Sequence, residues 1–279
     1  MRIRSFKDNN PILYLVATPI GNLNDMTFRA VEVLKSVDKV YAEDTRNSIH
    51  LLNHFSINTK LESYHEFNQD IKTDVIVNEL KNGMNIAIIS DAGLPVISDP
   101  GYKIVKACIE NDIAVSTIPG PSAGISALIA SGMVPMPYMF YGFLDSKKAK
   151  RITELNSLKY FEHTIIFYEA PHRIFECLED MLEVFGDRNI CIARELTKTY
   201  EEYIRLSISQ ALCLEPLKGE IVLIVEGYNE QKEEVNPYKK IDELISLGYK
   251  PNEAIKEVSR LCKINRQELY KNYIDYKKG

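Results

Sequence analysis

The chain has no tryptophan and no Gly-x-Gly, and nowhere do its five cysteines form a C-x-x-C. Each absence removes a class of protein. Without Gly-x-Gly there is neither a dinucleotide fingerprint nor the usual glycine-rich methyltransferase loop, and without G-x-x-x-x-G-K-[ST] there is no P-loop. The cysteines, at 108, 177, 191, 213 and 262, are odd in number and far apart. They read as reduced structural thiols of a cytoplasmic protein, not as a disulfide frame or a zinc site. The longest apolar runs are of strand length, so no membrane span is expected, and residues 1–10 lack the apolar core of a signal peptide. His50 and His54 stand four apart, as paired zinc ligands do, but Leu51 replaces the glutamate of that motif and no third ligand is evident. No metal is expected.

What is present is an ordinary globular composition: 45% hydrophobic and 26% charged over 279 residues, room for two packed domains. The net charge of −5 is unevenly spread. Residues 237–279 hold ten Lys/Arg against six Asp/Glu, a local +4, and leave −9 on the remainder. A basic tail on an acidic body has the charge pattern of a polyanion-binding appendage.

Residues 86–101 organise the rest. Ile86-Ala87-Ile88-Ile89 is apolar without interruption, as suits the middle of a parallel sheet covered on both faces. It breaks into Ser90-Asp91-Ala92-Gly93-Leu94-Pro95 and then Ser98-Asp99-Pro100-Gly101, where Asp99 is expected to cap a helix with Pro100 at its first position. Small residues and a carboxylate at the carboxyl end of such a strand mark where open α/β sheets hold ligands. Gly93 and Ala92 let a ligand approach the backbone, and Asp91 can accept from hydroxyl or amino groups.

Four more strands are expected around it, at 12–17, 40–42, 61–64 and 114–118. They alternate with helices, one carrying Phe28, Val31 and Leu34 on one face and another burying Leu51, Leu52 and Phe55. That alternation means a parallel α/β domain with right-handed crossovers, 1–131. Gly132 to Pro137 reads as a hinge into a second α/β domain, 132–228, with strands at 138–143, 164–168, 189–194, 203–207 and 220–226. The late consecutive strands imply antiparallel pairs, hence a mixed sheet. The charged run 229–235 is a linker to three short helices, 236–279, the last opened by Asn265 and Glu268 and burying Leu269, Tyr270, Tyr273 and Ile274.

Three strand-end loops, 18–22, 90–101 and 119–124, share one sheet edge in this arrangement and can line one cleft. With no phosphate cradle, a nucleoside-type cofactor fits it better than a nucleotide phosphate. Glu43-Asp44-Thr45-Arg46 ends the second strand, either as a helix cap or as a polar wall whose arginine meets a phosphate and whose carboxylate orients or deprotonates a hydroxyl. Tyr168 to Arg173 and Arg194 to Lys198 repeat the pattern, with Arg173, Arg194 and Lys198 suited to an RNA backbone.

VATPIGNLNDMTFRA (16–30), AEDTRNS (42–48), SDAGLPVISDPG (90–101) and IPGPSA (118–123) resemble the tetrapyrrole-methylase family, and within it the members that methylate ribosomal RNA. YEAPHR (168–173), ARELTK (193–198) and KGEIVLIVEG (218–227) carry the likeness through the second domain, and the helical tail belongs to the same pattern. One departure is Leu94, where the family usually has Thr. The resemblance implies a two-domain α/β fold, a parallel domain followed by a mixed-sheet one, with a helical, RNA-binding C-terminal appendage. It also implies S-adenosylmethionine bound in the cleft, a homodimer, and 2′-O-methylation of a cytidine ribose in the decoding region of small-subunit RNA, free or in the assembled 30S subunit. By position it nominates Pro19, Asp91, Ala92, Gly93, Val96, Ile97, Ser122, Ala123, Tyr168, Ala193 and Gly219 for the cofactor. Glu43, Asp44, Arg46 and Glu169 are candidates for catalysis, and Arg46, His172, Arg173, Arg194 and Lys198 for RNA contact. The rival expectations are a methylase of the same fold acting on a tetrapyrrole or other small molecule, and a non-catalytic RNA-binding assembly protein.

Overall fold

In a computed structural model the described residues are 6, 10–98, 100–229, 236–262 and 264–277, Leu261 by its backbone alone. They form two compact units, Met1–Tyr228 and Asn229–Gly279.

The first unit opens with β1 (Ile12–Val16), α1 (Phe28–Ser36), β2 (Lys39–Ala42), α2 (Thr45–His54) and β3 (Lys60–Ser63). It continues with α3 (Gln69–Lys81), β4 (Ile86–Ile89), α4 (Tyr102–Glu110), β5 (Ala114–Ile118) and α5 (Ala123–Ser131). The five strands make one parallel sheet in the order β3-β2-β4-β1-β5. Its central strand β4 is buried along its whole length, which explains the unbroken apolar run. Helices α1 and α2 cover one face through Ala30, Leu34 and Leu52, while α3 and α4 cover the other through Ile76, Leu80, Ile104 and Cys108. The chain leaves β1 toward β2 on one side and β4 toward β5 on the other, so the order reverses between these neighbours. That crevice is where doubly wound sheets bind ligands.

The second half adds β6 (Tyr138–Phe143), α6 (Lys148–Leu158), β7 (Thr164–Glu169), α7 (Ile174–Phe185), β8 (Asn189–Arg194), β9 (Glu202–Ser207), α8 (Ile208–Ala211) and β10 (Ile221–Val225). They form a mixed sheet, β6-β7-β10-β8-β9, parallel only between β6 and β7. Helices α6, α7 and α8 pack on one face through Leu155, Leu178, Met181 and Ile208. Against the other lie Ala127 and Leu128 of α5 with Ile20 from the loop after β1, and so the two sheets share a wall.

The second unit comprises α9 (Pro237–Ser246), α10 (Pro251–Cys262) and α11 (Arg266–Tyr276) around Ile241, Ala254, Ile255, Val258, Leu269 and Tyr273. Asn265 caps α11 by accepting from the Gln267 and Glu268 amides.

Some expectations give way. The stripe buried by α1 runs through Ala30 and Leu34, and Phe28, two residues from Ala30 and so almost opposite it on a 3.6-residue turn, is 91% exposed. In α2, Leu52 is buried while Leu51 and Phe55 are half-buried, because one narrow stripe faces the sheet. Tyr270 is likewise outside the Leu269–Tyr273 stripe and exposed. Helix α4 starts at Tyr102, not Pro100, with Gly101 at its N-cap. The loop there folds back so tightly that a Cβ on Gly101 (φ +156°) would stand 2.6 Å from Val96 Cγ2. Asp99, the expected cap, and most of the expected linker, 230–235, lie outside the described residues.

Candidate functional site

The site begins with a fastening. The loops after β1 and β4 meet as a two-residue antiparallel bridge, the Thr18 amide donating to the Gly93 carbonyl at 2.9 Å and the Gly93 amide to the Thr18 carbonyl at 3.1 Å. The buried Thr18 hydroxyl donates to the Ser90 carbonyl at 3.1 Å. Gly93 sits at φ +77°, which only glycine adopts without strain. The crevice loops are thereby held rigidly.

Beside this bridge is a cavity of about 400 Å³, within the range of small-molecule sites. Ile20, Leu94, Ile97, Phe143, Leu196, Ile221 and Val222 give it an apolar wall; Ala92, Gly93, Ser122, Ala123, Tyr168 and Glu169 line the rest. Ser122 is the N-cap of α5 but makes no capping bond, and the Tyr168 hydroxyl accepts from the Gly124 amide at 3.2 Å. The first turn of α5 therefore presents amides and a hydroxyl at an apolar hollow.

A smaller cavity of about 300 Å³ is lined by Pro19, Gly21, Asn47, Ser48, Leu51, Asp91 and Lys198, among others, and shares Ile20, Ala92 and Glu220 with the larger one. It is the polar half. The Asn47 amide donates to Asp91 at 2.9 Å, joining α2 to the loop after β4. Lys198 lies 2.9 Å from both Glu195 and Glu220. Burial pulls the Lys198 pKa down, but those two bonds outweigh it and the ammonium is held above its usual value. Conversely, the bonds from Lys198 and the Glu220 amide hold the Glu195 carboxyl below its usual range.

The nominated residues fall into groups. Ala92, Gly93, Ile97, Ser122, Ala123 and Tyr168 line the larger cavity, and Pro19, Asp91 and again Ala92 the smaller. Val96, Ala193 and Gly219 line neither cavity; Val96 sits at φ +77°, and Ala193 is fully buried in the core against α5. Asp44 caps α2 and is paired with Arg46 at 2.6 Å, whose bonds hold its carboxyl down at about 2. Neither of these two residues, nor Glu43, lines either cavity. Glu169 lines the larger one but is almost fully buried, beside Arg173 at 3.3 Å and accepting from the Ala170 amide. Arg173 also donates to the Leu144 carbonyl, and Arg194 pairs with Glu202. His172 is exposed. Lys198 is the nominated cation that reaches a cavity wall.

Asn47, Phe143, Leu196 and Glu220 line the cavities without having been nominated. Asn47, Leu196 and Glu220 lie inside the quoted motifs, so adjacency could have found them; Phe143 carried no signal beyond apolarity. Gly120-Pro121-Ser122-Ala123-Gly124 also has the G-x-S-x-G spacing of a serine nucleophile, at a strand-to-helix turn. Among the described residues no histidine bonds Ser122, so the nucleophile–base pair of a hydrolase is not formed. Nor does any group of three His, Cys, Asp or Glu among them stand as metal ligands.

A family model described as Tetrapyrrole (Corrin/Porphyrin) Methylases matches residues 12–212. The chain belongs to the tetrapyrrole methylase family. Within it, the protein named "Ribosomal RNA small subunit methyltransferase I" of Streptococcus pyogenes serotype M1 is 49% identical over 282 aligned positions, covering 98% of each chain. Its namesake in Bacillus subtilis (strain 168) is 46% identical, covering 96% of this chain and 95% of its own. Among solved structures, diphthine synthase aligns with a TM-score of 0.60 at 11% identity, over 78% of this chain and 90% of its own. Uroporphyrin-III-C-methyltransferase from Thermus thermophilus aligns at 0.55 and 16%, over 78% and 94%. These two likenesses show the fold alone.

Methylases of this family take their methyl group from S-adenosylmethionine. The larger cavity fits such a donor: apolar walls to take a purine, uncapped α5 amides and the Ser122 hydroxyl for polar ends, and Asp91 close by for hydroxyl or amino groups.

Proposed function

We propose that this chain is an S-adenosylmethionine-dependent methyltransferase of small-subunit ribosomal RNA, transferring a methyl group to the 2′ hydroxyl of a cytidine ribose in the decoding region. The observation that carries the reading is the span of the likeness. The family model ends at residue 212, whereas the ribosomal RNA methyltransferase relatives cover 98% of the chain, and so include its C-terminal helical unit. That unit exposes Lys239, Lys250, Lys256, Arg260, Arg266 and Lys271, cations a small macrocycle would not need but an RNA backbone does.

When bound, the cofactor supplies an electrophilic sulfonium methyl. The chain's own part is to hold, orient and dry the reaction. Ile20, Ala92 and Glu220 line both cavities, so that an acceptor hydroxyl entering on the polar side meets the donor where the two adjoin, beside loops fastened by the Thr18–Gly93 bridge. The buried side chains of Leu196 and Val222 give the donor side a dry wall. Lys198 stands at the acceptor side, and His172 and Arg194 lie near the same sheet edge for the flanking phosphates. The reading places the enzyme in the cytoplasm, on the assembled 30S subunit, as a homodimer. Exposed Ile129, Val134 and Met136 suit a second copy.

The test is methyl transfer from labelled S-adenosylmethionine to small subunits that lack their native modifications. Label on the RNA is expected. Label on an added tetrapyrrole, with none on RNA, would return the protein to small-molecule chemistry.

A further inference from the structure

The two cavities share three residues, and one of them is ionisable: Glu220. It lines both the apolar hollow and the polar one. Its side chain is 76% exposed, and one carboxylate oxygen, Oε2, lies 2.9 Å from Lys198 Nζ. The other makes no hydrogen bond among the described residues.

Glu220 is also held in place. The Glu195 amide donates to the Glu220 carbonyl at 3.0 Å, and the Glu220 amide returns a bond to Glu195 Oε1 at 3.1 Å. That same Oε1 accepts from Lys198 at 2.9 Å. A Cβ on Gly219 would overlap the Glu195 carboxylate, so a glycine there is what lets the carboxylate lie flat. Gly21 has the same role below the lysine, where a Cβ would be 2.7 Å from Lys198 Cγ. Glu195 and Thr197 take left-handed backbone, φ +51° and +66°, which non-glycine residues hold only where their surroundings over-determine it. Glu195 thus anchors Lys198, and Lys198 anchors Glu220.

We propose that Glu220 is the catalytic proton acceptor of the methyl transfer, and that Lys198 and Glu195 are positioning residues that fix its carboxylate at the junction of the two cavities. The proposal rests on the methyl-transfer reading above. Lys198, held by two carboxylates, is a donor and not a base. Asp44 lines neither cavity, and Glu169 is almost fully buried beside Arg173, whereas Glu220 lines both cavities with one carboxylate oxygen unbonded among the described residues. Glu220 takes the hydroxyl proton while an oxygen lone pair forms the new O–CH₃ bond and the C–S bond breaks with its electron pair going to sulfur. The O–H pair stays on oxygen, and the carboxyl then returns its proton to solvent.

The experiment compares wild type, Glu220→Gln, Glu220→Asp and Lys198→Met on unmodified small subunits. Glu220→Gln is expected to lower the single-turnover rate at least 100-fold, the low end for a lost general base. KM for the subunit, calorimetric affinity for S-adenosylmethionine and thermal midpoint should all stay near wild type. Glu220→Asp should recover part of the rate, and Lys198→Met should lower it with the fold intact. A Glu220→Gln enzyme keeping a third or more of the wild-type rate overturns the assignment and leaves the RNA reading standing. Wild-type enzyme that binds cofactor but labels no RNA overturns both.

Discussion

Gly219 shows how one missing methyl group can organise a site. It sits at φ +86°, and the space its Cβ would take is filled by the Glu195 carboxylate. Gly219→Ala should cost about 1–3 kcal/mol through backbone strain and displacement of Glu195, read as a lowered urea midpoint. A second residue-scale case is Glu62. Bonds from Lys72 and Lys60, resisted by burial and joined by Lys39, hold its carboxyl at about 2. A depressed carboxylate stabilises the fold fully above its unfolded value of about 4.3 and loses that contribution as pH falls through the folded one. Glu62→Gln should therefore be less stable than wild type at pH 7, with the gap closing between pH about 4.3 and about 2 in urea titrations.

At the scale of elements, α5 joins the two sheets and opens onto the larger cavity. Tyr168→Phe removes the hydroxyl that takes the Gly124 amide and should cost about 1 kcal/mol. It keeps the ring on the cavity wall, so calorimetric affinity for S-adenosylmethionine should fall much less than in Tyr168→Ala. This scale also shows what the sequence reveals. Strands buried on both faces, such as Ile86–Ile89, announce themselves by unbroken apolar runs, and their strand-end loops by small residues and prolines. Helix faces are less legible: Phe28 and Tyr270 belong to apolar patterns but lie off the buried stripe. The start of α4 was hidden because Val96 packs back on Gly101, a contact no local pattern encodes. The Glu195–Lys198–Glu220 cluster was hidden for a similar reason. It depends on β8 and β10 pairing with Arg194 opposite Ile221, which brings together residues 25 apart in the chain.

At the scale of the molecule, the chain folds as two units. The unit 1–228 carries the cleft, and 229–279 has a hydrophobic core of its own and exposed cations. Removing residues 229–279 should leave calorimetric cofactor binding intact and abolish transfer to small subunits; undiminished transfer would show that the basic helices take no part in recognition. Alkaline hydrolysis of the labelled RNA reads out whether the methyl group goes to a ribose hydroxyl of small-subunit RNA. A free 2′ hydroxyl is the nucleophile of that cleavage, so methylating it protects the adjoining phosphodiester. The label is predicted to appear in a single alkali-resistant dinucleotide with cytidine at its 5′ side. Label released entirely in mononucleotides would mean that a base, not a ribose, was methylated.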